Sequence, residues 1–237
     1  MVSEDPPTST APAAFDIPSA AFLAMSSADA SGLRASLRGT EHTLTVASDI
    51  EATLRLLDGA EFDVVVLDLD IAEPLAAIRA VRDRTSAPVL GIASCDASVM
   101  EMYAAGLDEC LTRPVPDEPS PLFARAAALL RLRTRPHGGA TLFGPEGLTV
   151  HLRAREVRCN DEVVQLGALE FELLEALLRR RGEVLDADEI SRVVWGHETF
   201  GDRNYVEALM SRLRRKLASA GAHRVVTTVR GVGYTIR

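Results

Sequence analysis

The sequence has little lysine, few aromatic residues and no long uninterrupted run of apolar residues. Its 237 residues include one lysine, one tryptophan and 5% aromatic residues in all. No apolar stretch reaches the ~18–20 residues that a membrane-spanning helix needs. The first residues carry Glu4 and Asp5 and do not resemble a basic, apolar signal peptide. We therefore expect a cytoplasmic protein with no membrane segment.

Cysteine and histidine are also scarce, and neither is spaced for catalysis or for metal binding. The three cysteines, Cys95, Cys110 and Cys159, are scattered and odd in number, which indicates reduced thiols in a cytosol. The five histidines are isolated from one another, and no nucleophile–base pair is visible. We expect no metal, no cofactor and no enzyme activity.

Charge is distributed unevenly along the chain. The net charge is −8, but the acidic excess lies in the first 139 residues, and basic and acidic residues nearly balance from residue 140 onward. An acidic chain repels DNA, which is itself an anion. Any binding of nucleic acid would therefore depend on a local positive potential at a basic surface in the second half. The length leaves room for two compact domains.

A basic amphipathic helix is predicted over residues 204–217, NYVEALMSRLRRKL. At about 100° per residue, Arg215 points away from the apolar side of this helix. A helix of this width fits the major groove of duplex DNA, where arginine reads guanine and neutralises phosphate. A solvated surface face is the alternative interpretation of this helix alone. Its apolar stripe consists of side chains spaced by three and four: Val206, Leu209, Met210, Leu213 and Leu217.

A β-hairpin is predicted directly after this helix. Residues 225–229 are β-branched and indicate a strand, Gly231 and Gly233 indicate a tight turn, and residues 234–236 return as a second strand. Arg230 lies at the tip. A hairpin with a cationic tip behind a basic helix is typical of a winged helix, whose wing can place arginine in the minor groove.

These segments resemble the effector domain of the OmpR/PhoB family of bacterial response regulators. The matching pieces, in the family's order, are LEFELLEALLRRRGEVLDADEISRVVWG (Leu169–Gly196), NYVEALMSRLRRKL and VTTVRGVGYTIR, and the TVRGVGY wing is the most specific of them. The resemblance implies an α+β winged-helix DNA-binding domain, which we assign to residues 140–237. Its implied elements are a small antiparallel sheet, three helices and a C-terminal hairpin.

The resemblance also implies how this domain meets its partners. Ser211 and Arg212 would face bases, and a dimer would occupy a direct-repeat operator with half-sites about one helical turn apart, ~10–11 base pairs. The loop at residues 197–202 would face RNA polymerase. The other implied DNA-binding residues, from the helix, the supporting loop and the wing, are Arg203, Asn204, Arg214, Arg215, Trp195, Thr228 and Arg230.

The first half alternates five predicted strands with five predicted helices. That order predicts an α/β doubly wound, five-stranded parallel sheet of the flavodoxin-like or CheY-like kind over residues 19–133. A tail at residues 1–18, rich in proline, serine and alanine, is predicted to be disordered, and residues 134–139 are predicted to be a linker. The working site of such a sheet lies beyond the carboxyl ends of its strands.

This half resembles the receiver domain of response regulators, with departures at its site. Asp68 takes the position of the phosphate-accepting aspartate. Ser26 and Ser27 replace the family's acidic pair, Ala93 replaces its switch hydroxyl, and Arg113 replaces its lysine. Because Mg²⁺ prefers carboxylate ligands, these changes make Mg²⁺ binding doubtful. We predict that Asp68 is seldom or never phosphorylated; in the alternative structural interpretation it forms an ion pair with Arg113.

The resemblance further implies a homodimer through the fourth helix, fifth strand and fifth helix of the receiver. Asp108 or Glu109 with Arg125 would provide its cross-interface ion pair, and apolar Val99 would suit a permanent interface. Three functions stay open. The chain is a DNA-binding regulator that acts without phosphorylation, a conventional two-component response regulator phosphorylated on Asp68, or a regulator whose receiver senses a small metabolite.

Overall fold

The computed structural model describes residues 19–25, 30–94, 99–116, 121–134, 139–195 and 203–237. The predicted tail, most of the predicted linker, the loop predicted to face RNA polymerase, and both Ser26 and Ser27 lie outside these ranges. Within them, no helix has the length and apolar character needed to cross a membrane.

The first half is a five-stranded sheet flanked by helices. All neighbouring strands are parallel, in the order β2-β1-β3-β4-β5, which confirms the predicted doubly wound fold. The elements in chain order are β1 (Ala21–Met25), α1 (Ala30–Ser36), β2 (Thr43–Ala47), α2 (Ile50–Gly59), β3 (Val64–Asp68), α3 (Pro74–Arg82), β4 (Val89–Ala93), α4 (Val99–Ala105), β5 (Glu109–Thr112) and α5 (Pro121–Thr134).

The central strand β3 shows why the sheet needs helices on both faces. Val64 and Val66 pack into a core with α1 and α5, whereas Val65 and Leu67 pack into a second core with α2, α3 and α4. All four side chains are fully buried. A strand covered on both sides is apolar without alternation, which is the pattern of this segment.

The second half combines a four-stranded antiparallel sheet with three helices and a hairpin. The sheet order is β6-β7-β8-β9, and β10 pairs with β11. Edge strand β6 has only three residues and is not predicted by the sequence pattern. The elements are β6 (Thr141–Phe143), β7 (Leu148–His151), β8 (Glu156–Cys159), β9 (Glu162–Val163), α6 (Ala168–Arg179), α7 (Ala187–Trp195), α8 (Arg203–Ser219), β10 (Thr227–Val229) and β11 (Gly233–Thr235).

Helices α6 and α7 begin where the sequence places helix-starting residues. The Gly167 backbone N–H donates to the Glu170 carboxylate at 2.7 Å, one turn into α6. Before α7, the Glu189 N–H donates to Asp186 at 2.8 Å and the Asp186 N–H donates back to Glu189 at 3.1 Å. Each exchange satisfies backbone donors that a helix start leaves unpaired.

Two glycines shape the wing for different reasons. Gly231 lies in the turn with φ +75°, a conformation that side chains with a Cβ rarely adopt. Gly233 lies against the Leu185 carbonyl oxygen, which would be 2.0 Å from an added Cβ. The close approach lets Leu185 and Tyr234 exchange backbone hydrogen bonds of 2.9 Å each, so the wing is fixed to the segment before α7.

The two halves pack directly on each other. Helix α5 lies against α6, α4 lies against α8, and one apolar core runs from the α1–α5 side of the receiver into the winged-helix domain. The Arg155 guanidinium, in the β7–β8 turn, donates to the Leu132 carbonyl of α5 at 3.1 Å. The predicted DNA-reading helix α8 is therefore in contact with the receiver.

Candidate nucleic-acid interface and receiver site

Helix α8 has the predicted apolar stripe, and it is buried. Val206, Leu209, Met210, Leu213 and Leu217 are each at most 3% exposed. They pack with α6, α7 and the wing in the core of the winged-helix domain. The stripe fixes which part of α8 remains available for a ligand.

The solvent side of α8 carries part of the predicted DNA-binding set. Asn204, Ser211 and Arg215 are exposed, as is Arg230 at the tip of the wing. Arg203 is the first residue of α8, but its side chain lies outside the described part of the chain. Half-buried Trp195 ends α7.

Arg214 joins α8 to the wing instead of facing freely outward. Its guanidinium donates to the Val226 carbonyl at 3.1 Å and to the Thr228 hydroxyl at 2.7 Å. It also lies over the Tyr234 ring at 5.5 Å, a cation–π distance. Arg214 therefore positions the wing relative to the helix, while its charge remains close to the predicted DNA surface.

Arg212 points into the receiver and is 4% exposed. Its guanidinium donates to the Tyr103 carbonyl at 3.2 Å, to the Leu107 carbonyl at 2.8 Å and to the Asp108 carboxylate at 3.3 Å. In this arrangement Arg212 does not face a DNA groove. The predicted base contact stays a prediction for an arrangement in which α8 has left the receiver.

Glu170 of α6 approaches Arg212 from the winged-helix side. Its carboxylate lies 3.3 Å from the Arg212 Nε and 2.6 Å from the Lys216 Nζ. Burial alone would raise the pKa of the Glu170 carboxyl, but the cations of Arg212 and Lys216 outweigh burial and hold that pKa below its usual range. Glu170 is therefore an anion in the interior.

Asp108 is the receiver's partner for Arg212 and is 1% exposed. It also accepts from Arg82 at 2.6 Å and from the Val89 backbone N–H at 2.9 Å. In this arrangement the Asp108 carboxylate is buried and bound within the chain, and its use across a dimer interface stays a prediction. We call Arg82, Asp108, Glu170, Arg212 and Lys216 the interdomain cluster.

An apolar contact extends the interdomain cluster along α4 and α8. Val99 and Tyr103 of α4 pack with Ala208 of α8, and the Tyr103 and Tyr205 rings meet edge to face at 4.5 Å. Val99, predicted at a dimer interface, is thus covered by α8 of the same chain. We call Val99, Tyr103, the Leu107 carbonyl and Asp108 the α4 docking surface.

Glu109 and Arg125, the other residues predicted for the dimer contact, lie near each other within one chain. The Arg125 guanidinium is 3.6 Å from the Glu109 carboxylate, and the arginine side chain is 41% exposed. Their use across a dimer stays a prediction.

At the opposite end of β5, Arg113 meets two aspartates. Its guanidinium is 3.0 Å from the Asp68 carboxylate and also contacts Asp70. The predicted Asp68–Arg113 ion pair is confirmed. Asp70 accepts further hydrogen bonds from Ser94, 2.6 Å from the hydroxyl and 2.9 Å from the backbone N–H. We call Asp68, Asp70, Ser94 and Arg113 the receiver-site cluster.

The receiver-site cluster does not fit a Mg²⁺ ion in the way the family's acidic pair would. Ser94's hydrogen bonds, and then Arg113, hold the pKa of Asp70 below its usual range, so Asp70 is an anion already matched to donors. The Asp68 carboxylate is paired with the Arg113 guanidinium. Ala93 ends β4 and brings no hydroxyl. A cation here would have to displace the Arg113 guanidinium from the two carboxylates. Among the described residues, no three His, Cys, Asp or Glu side chains gather as a possible metal site.

A groove lies beside this cluster, between α2 and α3. Its volume is about 540 Å³, and its walls are mainly apolar, with Ile50 and Leu54 on one side and Ile71 and Ala76 on the other. Asp68 is also among the residues that line it.

The comparisons with known proteins agree with this architecture. Residues 161–236 match the family described as "Transcriptional regulatory protein, C terminal". The response regulator MprA of Mycolicibacterium vanbaalenii is 36% identical over 216 residues, covering 86% of this chain and 91% of that protein. The virulence transcriptional regulatory protein PhoP of Salmonella typhi is 29% identical over 207 residues, covering 85% and 91%.

A solved structure shares the whole fold. A mutant of the protein RitR superposes with a TM-score of 0.67 at 20% identity, covering 92% of this chain and 99% of that one. The fold combines a receiver with a winged-helix domain, and the similar proteins are a response regulator and a transcriptional regulatory protein. Fold and relatives therefore define a two-domain response regulator of the winged-helix class. The chain belongs to the OmpR/PhoB family of response regulators and is a transcription regulator of that type.

Proposed function

We propose that this regulator binds a direct-repeat operator as a homodimer, in the cytoplasm, and acts without phosphorylation of Asp68. The absence of phosphorylation is supported by one observation: the Arg113 guanidinium lies 3.0 Å from the Asp68 carboxylate and also contacts Asp70. A forked guanidinium paired with two carboxylates occupies the oxygens that a metal ion and a phosphoryl group would need.

The chemistry of phosphoryl transfer supports this proposal. An aspartate accepts a phosphoryl group only where positive charge offsets the anions that are brought together, and Mg²⁺ supplies most of it. Here one arginine already neutralises the acceptor, and Ala93 offers no hydroxyl to a phosphoryl oxygen. The family's acidic pair is replaced by Ser26 and Ser27. Each departure removes a separate requirement of the reaction.

The direct test is treatment of the full chain with acetyl phosphate and Mg²⁺, followed by intact mass measurement. We expect an unmodified mass, while a conventional receiver treated in parallel gains a phosphoryl group. A stoichiometric phosphoprotein that disappears in the Asp68→Asn variant would overturn the proposal and restore the conventional two-component function.

DNA binding by the exposed residues is tested with alanine variants that each remove one arginine, from the predicted DNA-binding surface or from elsewhere. Arg215→Ala removes a predicted base or phosphate contact on α8, and Arg230→Ala removes the predicted contact of the wing. We expect each to weaken binding, with a loss on the order of 1–3 kcal/mol where a base is read, or a salt slope lower by about 1 where a phosphate is held. Arg153→Ala, exposed in the β7–β8 turn, is the matched control and should bind like the wild type.

A second candidate function for the receiver is recognition of a small metabolite, favoured by the groove between α2 and α3. A volume of about 540 Å³ falls within the range of small-molecule sites, and Asp68 lines the groove together with its mainly apolar walls. Thermal shift of the full chain against fractionated small molecules tests this. Filling the groove with Ala76→Trp should abolish any shift observed, and a shift that survives Ala76→Trp would place the ligand elsewhere.

A further inference from the structure

We propose that a cavity between the two domains binds a small organic anion, held by Arg133 of the receiver and Arg155 of the winged-helix domain. The cavity has a volume of about 380 Å³, and both arginines line it together with residues of α6. This volume lies at the small end of the range for ligand sites in proteins. The proposal depends neither on DNA binding nor on the state of Asp68.

The two arginines place like charges at one cavity. Burial lowers the pKa of the Arg155 guanidinium, the bond to Glu172 opposes that effect, and the nearby charge of Arg133 adds to it. Both side chains remain cations, because arginine does not lose its proton in proteins. An anion bound between them would offset their mutual repulsion.

The carboxylate partners of both arginines lie outside the lining of the cavity. Arg155 donates to Glu172 at 2.9 Å, and Arg133 lies 3.8 Å from the Asp63 carboxylate; neither Glu172 nor Asp63 lines the cavity. Among the described residues that do line it, the acidic one is Glu156, whose carboxylate is paired with a neighbouring arginine at 3.3 Å. The lining therefore presents more positive than negative charge.

Hydrogen-bond donors remain available at this site. The Arg133 Nη1 donates to the Asp63 carbonyl at 3.3 Å, and no acceptor in the described part of the chain bonds its Nε or Nη2. The side chains of Ser86 and Gln165, which also line the cavity, make no hydrogen bond to another described residue. A carboxylate or a phosphate group can accept from all three side chains.

The remaining walls are apolar, which favours an organic anion over a bare inorganic one. Val157 and Val164 are buried beside the cavity, and half-buried Leu166 also lines it. Such walls cannot bond a polar ligand, but they can cover a compact carbon body. The class of ligand is therefore a small molecule with a carboxylate or phosphate group at the arginines and its carbon skeleton against these residues.

The test is calorimetric titration of the full chain at constant ionic strength. Citrate serves as the carboxylate probe, glycerol phosphate as the phosphate probe and glycerol as the uncharged control. Arg133→Gln removes the cation and keeps a polar side chain at a position that is 30% exposed. Arg131→Gln removes the same charge from an exposed position of α5 that does not line the cavity, and it is the matched control.

We expect at least one of the two anions to bind the wild type with a Kd below about 1 mM, and glycerol not to bind. Arg133→Gln should weaken that binding about tenfold, because a charge-assisted hydrogen bond is lost. Arg131→Gln should bind like the wild type. The anion that binds more tightly identifies carboxylate or phosphate as the preferred acidic group.

A further variant fills the cavity without a change in charge. Gln165→Trp places a bulky ring at the lining and should abolish binding, whereas Ala76→Trp, in the groove between α2 and α3, should leave it unchanged. If Arg133→Gln does not fold, Gln165→Trp decides.

Three results would overturn the proposal. The first is a Kd weaker than about 1 mM for both anions. The second is equal affinity of Arg133→Gln and Arg131→Gln, which would mean that the anion responds to the overall charge of the chain. The third is binding that survives Gln165→Trp, which would place the anion elsewhere.

Discussion

Two arginine–carboxylate clusters lie at the two ends of strand β5, and they are opposite in their exposure to solvent. Asp108, directly before the strand, belongs to the interdomain cluster, in which Asp108, Glu170 and Arg212 are each at most 4% exposed. Arg113, directly after the strand, belongs to the receiver-site cluster, in which the three charged side chains are 23–38% exposed. About 17 Å of strand separates the two ends.

The difference in exposure sets how much each cluster contributes. Charges near the surface are screened by water and contribute about 0–1 kcal/mol per pair. Removing one partner from a buried pair costs several times more, because the remaining charge has no water to solvate it. Substitution of a charged residue should therefore cost little stability in the receiver-site cluster. It should cost more in the interdomain cluster, which joins the two domains.

The largest expected effect is on the interdomain cluster. Glu170→Ala removes the anion that faces Arg212 and Lys216 and also the acceptor for the Gly167 N–H. We expect the free energy of unfolding of the winged-helix domain to fall by about 3 kcal/mol. Urea unfolding followed by the fluorescence of Trp195, the chain's one tryptophan, measures this domain selectively.

The control for that prediction is a carboxylate of the same domain whose ion pair is partly open to solvent. Glu156 is 42% exposed and lies 3.3 Å from Arg158. Glu156→Ala should cost no more than about 1 kcal/mol. Equal losses for Glu156→Ala and Glu170→Ala would contradict the contrast between buried and exposed pairs.

The pH dependence of stability should identify the same carboxyl. The pKa of Glu170 is lower in the folded protein than its ordinary value of 4.5. Its contribution is therefore complete above pH 4.5 and is lost as the pH falls below 4.5 toward the folded pKa. The stability difference between the wild type and Glu170→Gln should narrow over that acid range. A difference that stays constant from pH 7 to pH 3 would show that folding leaves the pKa of Glu170 unchanged.

Local patterns predict the elements and one of the two clusters. The apolar stripe of α8 and the glycine turn of the wing follow from side-chain periodicity and backbone freedom, which depend only on neighbours in the chain. The Asp68–Arg113 pair can be predicted because Asp68 ends one parallel strand and Arg113 follows another, and the carboxyl ends of parallel strands meet at one edge of the sheet. Ser94 stands beside Ala93 in the sequence, but no local pattern predicts its bond to Asp70.

The interdomain cluster could not be predicted, because its members come from both domains. Asp108 and Arg212 are separated by 104 positions in the chain, and no periodicity relates a residue of one domain to a residue of another. One signal was available. Arg212 follows Leu209 by three positions and precedes Leu213, so it borders the apolar stripe, whereas Arg215 lies opposite it. That position favours a partly buried arginine over a base-reading one.

A smaller effect is expected at the receiver-site cluster, on the pKa of Asp70. The contributions of Ser94 and Arg113 to that pKa can be measured separately. The pKa of Asp70 is lowered first by its hydrogen bonds from Ser94 and less by the charge of Arg113. Ser94→Ala should therefore raise the pKa of Asp70 more than Arg113→Ala does, as followed by NMR titration of the side-chain carboxyl. The reverse order would mean that the ion pair dominates and that the exposed cluster resembles the buried one.

The smallest expected effect concerns the pair beside the α4 docking surface, Glu109 with Arg125. At 3.6 Å and with the arginine 41% exposed, this pair should stabilise one chain by no more than about 0.5 kcal/mol. Arg125→Ala should therefore leave urea unfolding nearly unchanged. If the same arginine serves a dimer, sedimentation of the Arg125→Ala protein should show fewer dimers than sedimentation of the wild type. We expect the effect on association because an exposed pair matters more where a second subunit excludes water from it. A loss of stability above about 1 kcal/mol with no change in association would instead place the role of Arg125 inside the chain.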